Sequence, residues 1–285
     1  MSGNQVGSDG DGIWGPARTG GVGLHHAERC EAPRAARDEA TVNVLGVRIK
    51  SLTLADLFGE VSRFVAMGVR RTVMYANVHV LNVAYGDPEL RGILNAADVV
   101  YCDGFGVVLG ARLLGGRISG RMTGADWIYP FCEHCVGQGH SVYFLGGRPA
   151  IAERAAEVLV TQYPALRVVG THHGYIHEQL LAGTIAAINA AQADIVLVGM
   201  GTPTQEKWLA AHRSEINAPV CWTVGAVFDY VAGVVPRGPR WMLDHGLEWL
   251  CRLYFEPRRL AGRYLIGNPL FLLRVLRRKM WGQSF

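Results

Sequence analysis

The stretch AADVVYCDGFGVVLG, residues 96–110, runs apolar, stops at Asp103-Gly104, and turns apolar again. Its first half shows no alternation of apolar and polar residues, so a strand here is covered on both faces. Strands of that kind belong to parallel sheets flanked by helices. A carboxylate and a glycine where the strand gives way to a helix have two readings. One is a turn residue with a helix cap; the other is a carboxylate aimed into a ligand cleft.

The rest of the chain repeats the pattern. RTVMYAN (71–77), ADVVYCD (97–103), SVYFLGG (141–147), LRVVGTH (166–172), ADIVLVGMG (193–201) and PVCWTVG (219–225) read as strands. TLADLFGEVSRFVAMG, PAIAERAAEVLVTQYP and EQLLAGTIAAINAAQ read as helices between them. The expectation is an α/β fold over residues 41–235: a Rossmann-like parallel sheet with helices on both faces. With 285 residues and 49% of them hydrophobic, the chain can build a sizeable core. Residues 1–40 are rich in Gly, Asp, Arg and Ala without a sustained period, and read as a disordered extension.

Charge is unevenly placed. The net +4 divides into −2 over residues 1–40 and +7 over residues 251–285, where eight Lys or Arg face the single Glu256. Basicity therefore belongs to the C-terminal end, which points to a local anionic partner. From about residue 236 the sequence reads as a basic, aromatic, helical appendage. Arg274, Arg277 and Arg278 fall on one stripe, opposite Phe271, Leu272, Val275 and Leu276. No apolar run reaches the roughly 20 residues of a spanning helix, and Pro269 interrupts the best candidate. A helix lying on an anionic membrane surface fits this pattern, as does a helix packed on the core. No nucleic-acid module accompanies the basic end, so a nucleic-acid partner is not expected.

The six cysteines, Cys30, Cys102, Cys132, Cys135, Cys221 and Cys251, are scattered, and no apolar secretory segment opens the chain. Reduced thiols in the cytoplasm are expected. CEHC (132–135) has C-x-x-C spacing, but it lies inside the helical pattern GADWIYPFCEHCVGQG without a second pair. Packed thiols are favoured there over zinc or redox chemistry.

In parallel sheets ligands bind beyond the carboxyl ends of the strands. Those ends read Asn77, Asp103-Gly104, Gly146-Gly147, Gly199 to Pro203, and Gly225. Glycines let backbone approach a ligand, and the helix starts that follow offer N–H groups to an anion, so a phosphate-bearing ligand is favoured. VGMGTPTQEKW (198–208) lacks the third glycine and ribose acid of a dinucleotide fingerprint, and lacks the Gly-Lys-Ser/Thr of a P-loop. A nicotinamide oxidoreductase is disfavoured for that reason. Pro203 is placed for the first turn of a helix, which puts Gln205 and Glu206 in that turn. Their side chains either hydrogen-bond a base or sugar, or cap the helix.

YANVHVLNVAYGDPELRGILNAADVVYCDGFGVV, RMTGADW, VYFLGGRP, HHGYI, VGMGTPTQEKW, VGAVFDYVAG, PRGPRW and LEWLCRLYFEPRR occur in the order found in the WecG/TagA/CpsF glycosyltransferases, glycosyltransferase family 26. The resemblance spans roughly residues 42–265. It implies an inverting transfer of a sugar from a UDP-sugar to a polyprenyl-diphosphate-linked saccharide, at the cytoplasmic face of the membrane. No cofactor and no essential metal is implied, and the products are cell-surface polymers, exopolysaccharides among them.

By the same resemblance Asp103 is the general base, and Asn77 meets the donor sugar or the acceptor. Gly104, Gly146, Gly147, Gly199, Gly201, Pro203, Gln205, Glu206 and Gly225 form the nucleotide pocket, and Tyr75, Asp229 and Arg237 join the substrate-binding set. Arg252, Arg258, Arg259 and Arg263 stand where appendage arginines close over the diphosphate, whose planar forks suit phosphate. Closure is expected at a membrane or on rearrangement of a homo-oligomer, and loss of residues 245–285 is expected to abolish transfer while the core stays folded.

Two positions depart from the family pattern. Tyr75 replaces a common Thr, and Arg237-Gly238-Pro239 replaces Arg-Ala-Pro. Asp98 stands at a strand start and makes no D-x-D motif with Asp103. The rival reading is a nucleotide-sugar-binding or scaffold protein without catalysis.

Overall fold

The structure is a computed structural model that describes residues 41–239, 242 and 248–282. The expected N-terminal extension, 1–40, lies outside the described residues. All the described residues fall in one compact unit.

The six anticipated strands form one sheet. They are β3 (Arg71–Ala76), β4 (Val99–Cys102), β5 (Ser141–Gly146), β6 (Arg167–His172), β7 (Ile195–Gly199) and β8 (Val220–Thr223). Their order is β4-β3-β8-β7-β5-β6, and every neighbouring pair is parallel. β4, β5, β7 and β8 are buried along their whole length, as continuous apolar runs require. The chain leaves β3 toward β4 on one side, whereas β8 arrives from β7 on the other. The switch point of the sheet thus lies at the β3/β8 pair, with the ends of β4 and β7 beside it.

Ahead of the sheet stands an element that the sequence pattern did not resolve. β1 (Thr41–Val44) and β2 (Val47–Lys50) form an antiparallel hairpin. Its turn residues, Leu45 and Gly46, both have positive φ, and Gly46 N donates to Asn43 Oδ1 at 2.9 Å. Asn95 ties the hairpin to the sheet layer by accepting from Arg48 N at 2.9 Å and donating to Gly46 O at 2.8 Å.

Helices start where the local chemistry stops the backbone from continuing. α1 (Leu54–Met67) opens on a reciprocal cap between Thr53 and Asp56 and closes on left-handed Gly68. α2 (Val78–Gly86) is capped by Asn77, and α3 (Pro88–Ala96) by Asp87 with proline in its first turn. α4 (Phe105–Leu113) follows Gly104, and α5 (Gly124–Gln138) carries the CEHC run. Cys132 and Cys135 are buried there; burial raises the Cys132 thiol to about 12 and pushes Cys135 up further, so both behave as apolar packing. α6 (Ile151–Gln162), α7 (Glu178–Ala190), α8 (Thr204–His212) and α9 (Val227–Val231) complete the layers.

The basic end is helical: α10 (Glu248–Phe255), α11 (Pro257–Ala261), a π turn (Gly262–Ile266) and α12 (Gly267–Trp281). The apolar stripe expected on α12 divides, with Phe271 and Val275 buried and Leu276 exposed. Phe271 and Val275 enter the main core, where a Cβ on Gly110 of α4 would lie 2.6 Å from the Phe271 ring. Arg274 turns inward as well, donating to Asn82 O at 3.0 Å and Asn82 Oδ1 at 2.8 Å and stacking on Tyr85. The outer face carries Leu273, Leu276, Met280 and Trp281, all exposed, beside Arg277. Among the described residues, no helix is long and apolar enough to cross a membrane.

Candidate active site

Asp103 follows β4 and extends the sheet ladder by one bond, its N–H donating to Ala76 O at 2.9 Å. Gly104 then takes φ 116° and ψ 152°, a region closed to side chains, and this turns the chain into α4. On the neighbouring strand Asn77 caps α2 through Oδ1, which accepts from Val80 N at 3.0 Å. With the oxygen so used, the amide nitrogen must face the other way, and Nδ2 donates to Asp103 Oδ2 at 3.3 Å. Asp103 is half-buried, open enough to meet a substrate.

Asp98, at the other end of β4, pairs with Arg71 at 2.6 Å and accepts from Thr72 N at 2.8 Å. Its work is structural, as its position at the strand start suggested.

Tyr75, Gln205 and Glu206 form a buried polar knot below the switch point. Gln205 Oε1 accepts from Gly201 N at 3.3 Å and Gly225 N at 3.1 Å, which fixes its orientation. Its Nε2 then donates to Tyr75 Oη at 3.2 Å and to Glu206 Oε1 at 2.7 Å. Thr202 adds a bond to Glu206 Oε1 at 2.9 Å. Gln205 and Glu206 are both 0% exposed. In this conformation they hold the β7 and β8 turns from beneath. Burial raises the Glu206 carboxyl above its ordinary range and drives the Tyr75 phenol up to about 12, the latter assisted by Glu206.

The strand-end glycines divide in the same way. A Cβ on Gly146 would meet Gly199 O at 2.3 Å, one on Gly199 would meet Gly225 O at 2.7 Å, and one on Gly225 would meet Tyr75 Oη at 2.7 Å. These three pack against their neighbours. Gly104 and Gly201 have open space around the Cβ position, so there the backbone itself is free to approach a ligand. Gly147 closes on Ile151, and Pro203 stands just before α8 rather than within its first turn.

The arginines separate into groups. Arg263 in the π turn lies close enough to weigh on both Tyr75 and His79; burial and then this charge lower the His79 imidazole to about 4. Arg252 stacks over Tyr230 at 5.3 Å. Asp229 has its carboxyl raised by burial, opposed by the charges of Arg148, Arg259 and Arg252, so these lie around it. Arg259 is also forked onto Glu256, with Nε to Oε1 at 2.9 Å. Arg258 is exposed. Arg237 donates to Ala125 O at 3.1 Å and pairs with Asp126, which ties it to the start of α5.

Three side chains at this edge were not singled out from the sequence. Arg121 stacks on Phe105 at 4.8 Å, and the following residue, Met122, bonds Cys102 O at the end of β4, which holds Arg121 beside the Asp103 turn. Its signal was its place in RMTGADW. Arg148 directly follows the β5 glycines, and His79 lies in the first turn of α2, two residues after Asn77.

A carboxylate and an amide are paired beyond the strand ends, where an open parallel sheet binds its ligands. The chain is a glycosyltransferase. Residues 42–284 match the family described as Glycosyl transferase WecG/TagA/CpsF family, and the chain belongs to that family. It is 25% identical over 222 residues, 78% of this chain and 85% of the relative, to the N-acetylglucosaminyldiphosphoundecaprenol N-acetyl-beta-D-mannosaminyltransferase of Bacillus subtilis (strain 168).

Proposed function

We propose that the chain is an inverting glycosyltransferase that moves a sugar from a UDP-sugar to a polyprenyl-diphosphate-linked saccharide during assembly of a cell-surface polysaccharide. The observation that carries the reading is the Asn77–Asp103 pair at the switch point. In the reaction an acceptor hydroxyl oxygen bonds to the anomeric carbon while the bond from that carbon to the β-phosphate oxygen breaks. Asp103 takes the hydroxyl proton, and the leaving electron pair stays on UDP. Attack opposite the leaving group inverts the anomeric centre.

Arg121 stacks on Phe105 beside the Asp103 turn, Arg263 acts on Tyr75, and Arg148, Arg252 and Arg259 act on Asp229, so these arginines are the ones to meet diphosphate charge. Arg258 belongs to the same closing segment. The relative's name, with its undecaprenol-linked diphosphate acceptor, supports the acceptor class.

The enzyme works peripherally on the cytoplasmic face of the membrane. Support comes from the outer face of α12 and from exposed Leu265 and Ile266 in the π turn, apolar side chains interleaved with Arg277 and Lys279.

The test is a panel of UDP-sugars incubated with the full-length protein and a short polyprenyl-diphosphate acceptor, with chelator present and products read by mass. Transfer of one sugar is expected. UDP binding without transfer of any sugar to any lipid-linked acceptor would favour a nucleotide-sugar-binding protein of the same assembly.

A further inference from the structure

At the end of α4 remote from Asp103, a groove of about 510 Å³ opens between that helix, the β1 strand and the end of α12. Arg112, Lys279 and Arg278 give it three cations, Leu113 and Leu114 give it an apolar wall, and Asn43 adds an amide. Among the described residues, no carboxylate side chain lines it. Arg112 and Lys279 are exposed there, and the outer face of α12, with exposed Leu276, Met280 and Trp281, continues from the same helix turns.

Clustered cations with an apolar wall, next to an apolar helix face, match an anion that carries a hydrocarbon part. We propose that this groove seats the phosphodiester headgroup of an anionic phospholipid, with Arg112 and Lys279 on the phosphate and the acyl chains directed along Leu276 and Met280. α4 spans nine residues, about 13 Å at the rise of an α-helix, so the headgroup and an acceptor at Asp103 occupy separate places. The inference rests on the peripheral-membrane reading above and adds a specific lipid contact to it. It also gives α4 a second use: its first turn follows the base, and its last turn touches the bilayer.

The experiment titrates the full-length protein with monomeric dihexanoyl-phosphatidylglycerol, dihexanoyl-phosphatidylcholine and inorganic phosphate, followed by calorimetry. Saturable binding of the phosphatidylglycerol at one site is expected, with the other two probes much weaker. Arg112→Gln and Lys279→Gln should each weaken it about fivefold, the worth of one basic residue at an anionic surface. Arg277→Gln removes the same charge from the outer face of the same helix and should leave it unchanged.

Equal loss in Arg277→Gln, or no saturable binding, overturns the groove in favour of diffuse attraction. Phosphate binding as tightly as the lipid overturns the headgroup assignment. Transfer to a short water-soluble acceptor, measured in the same variants, should stay at the wild-type rate. Its absence in the wild type as well would count against the transferase reading and leave the lipid result standing.

Discussion

Asn77 and Asp103 hold each other across the ends of adjacent parallel strands, amide nitrogen to carboxylate at 3.3 Å. The amide cannot flip without losing the cap of α2, so the carboxylate always faces a donor. Asp103→Asn removes the base while keeping the shape, and kcat should fall by about 10²–10⁴-fold with UDP affinity retained. Asn77→Asp keeps the cap but replaces the donor with a like charge, so kcat should fall while the melting temperature holds. Asn77→Ala should also lose about 1 kcal/mol from the missing cap. Unchanged turnover in Asp103→Asn would remove Asp103 from the mechanism.

The C-terminal helix is part of the core, and this sets a second expectation. Phe271 is 1% exposed and rests where Gly110 leaves room for it. Phe271→Ala should cost about 3–5 kcal/mol, read from denaturant unfolding. Deleting residues 245–285 removes Phe271 and Val275 together, so the remaining chain should melt far lower or aggregate, contrary to the expectation of an intact core. A truncated protein with the wild-type melting temperature would show that α12 is an accessory.

Much of this arrangement was legible in the sequence, and the exceptions have physical causes. The six strands could be read because burial on both faces leaves uninterrupted apolar runs, and Asp103 and Asn77 because strand ends in a parallel sheet all face one way. The hairpin was missed because Leu45, a poor residue for positive φ, occupies the turn position that Asn or Gly usually marks. Gln205 and Glu206 could be placed at the start of α8 but their full burial could not, since the depth of a helix's first turn depends on how the helix sits against β3 and β8. Arg121 needed the path of its loop over β4. The α12 pattern located an apolar face correctly but could not say what covers it.

A histidine pair on the opposite edge predicts acid sensitivity. Ser62 Oγ lies 2.7 Å from His134 Nε2 and 2.9 Å from His140 Nε2, and burial lowers both imidazoles. The native state then binds fewer protons than the unfolded chain at mildly acid pH, so stability should fall as pH drops below the ordinary histidine value of about 6.5. Melting temperatures measured from neutral to acid pH should decline less steeply in the His134→Gln, His140→Gln double variant. Parallel declines in the two proteins would place the acid sensitivity elsewhere.

Glu206 predicts a slope of the opposite sign. It is a fully buried carboxyl whose Oε1 accepts from Gln205 and Thr202, with no hydrogen-bond partner at Oε2 among the described residues. Its raised pKa means that the folded protein holds a proton which the unfolded chain has released above its ordinary value of about 4.5. The stabilisation is complete below that value and is lost as pH rises through the raised one. Glu206→Gln keeps an oxygen for Gln205 and Thr202 and cannot ionise, so its melting temperature should vary less with rising pH and should exceed that of the wild type on the alkaline side. Glu206→Ala leaves Thr202 and one Gln205 proton without an acceptor and should loosen the Gly201 and Gly225 turns, raising the KM for the donor more than it lowers kcat. Wild-type and Glu206→Gln melting curves that stay parallel with rising pH would mean that the carboxylate is already ionised in the folded protein, and the neutral knot beneath the site would have to be abandoned.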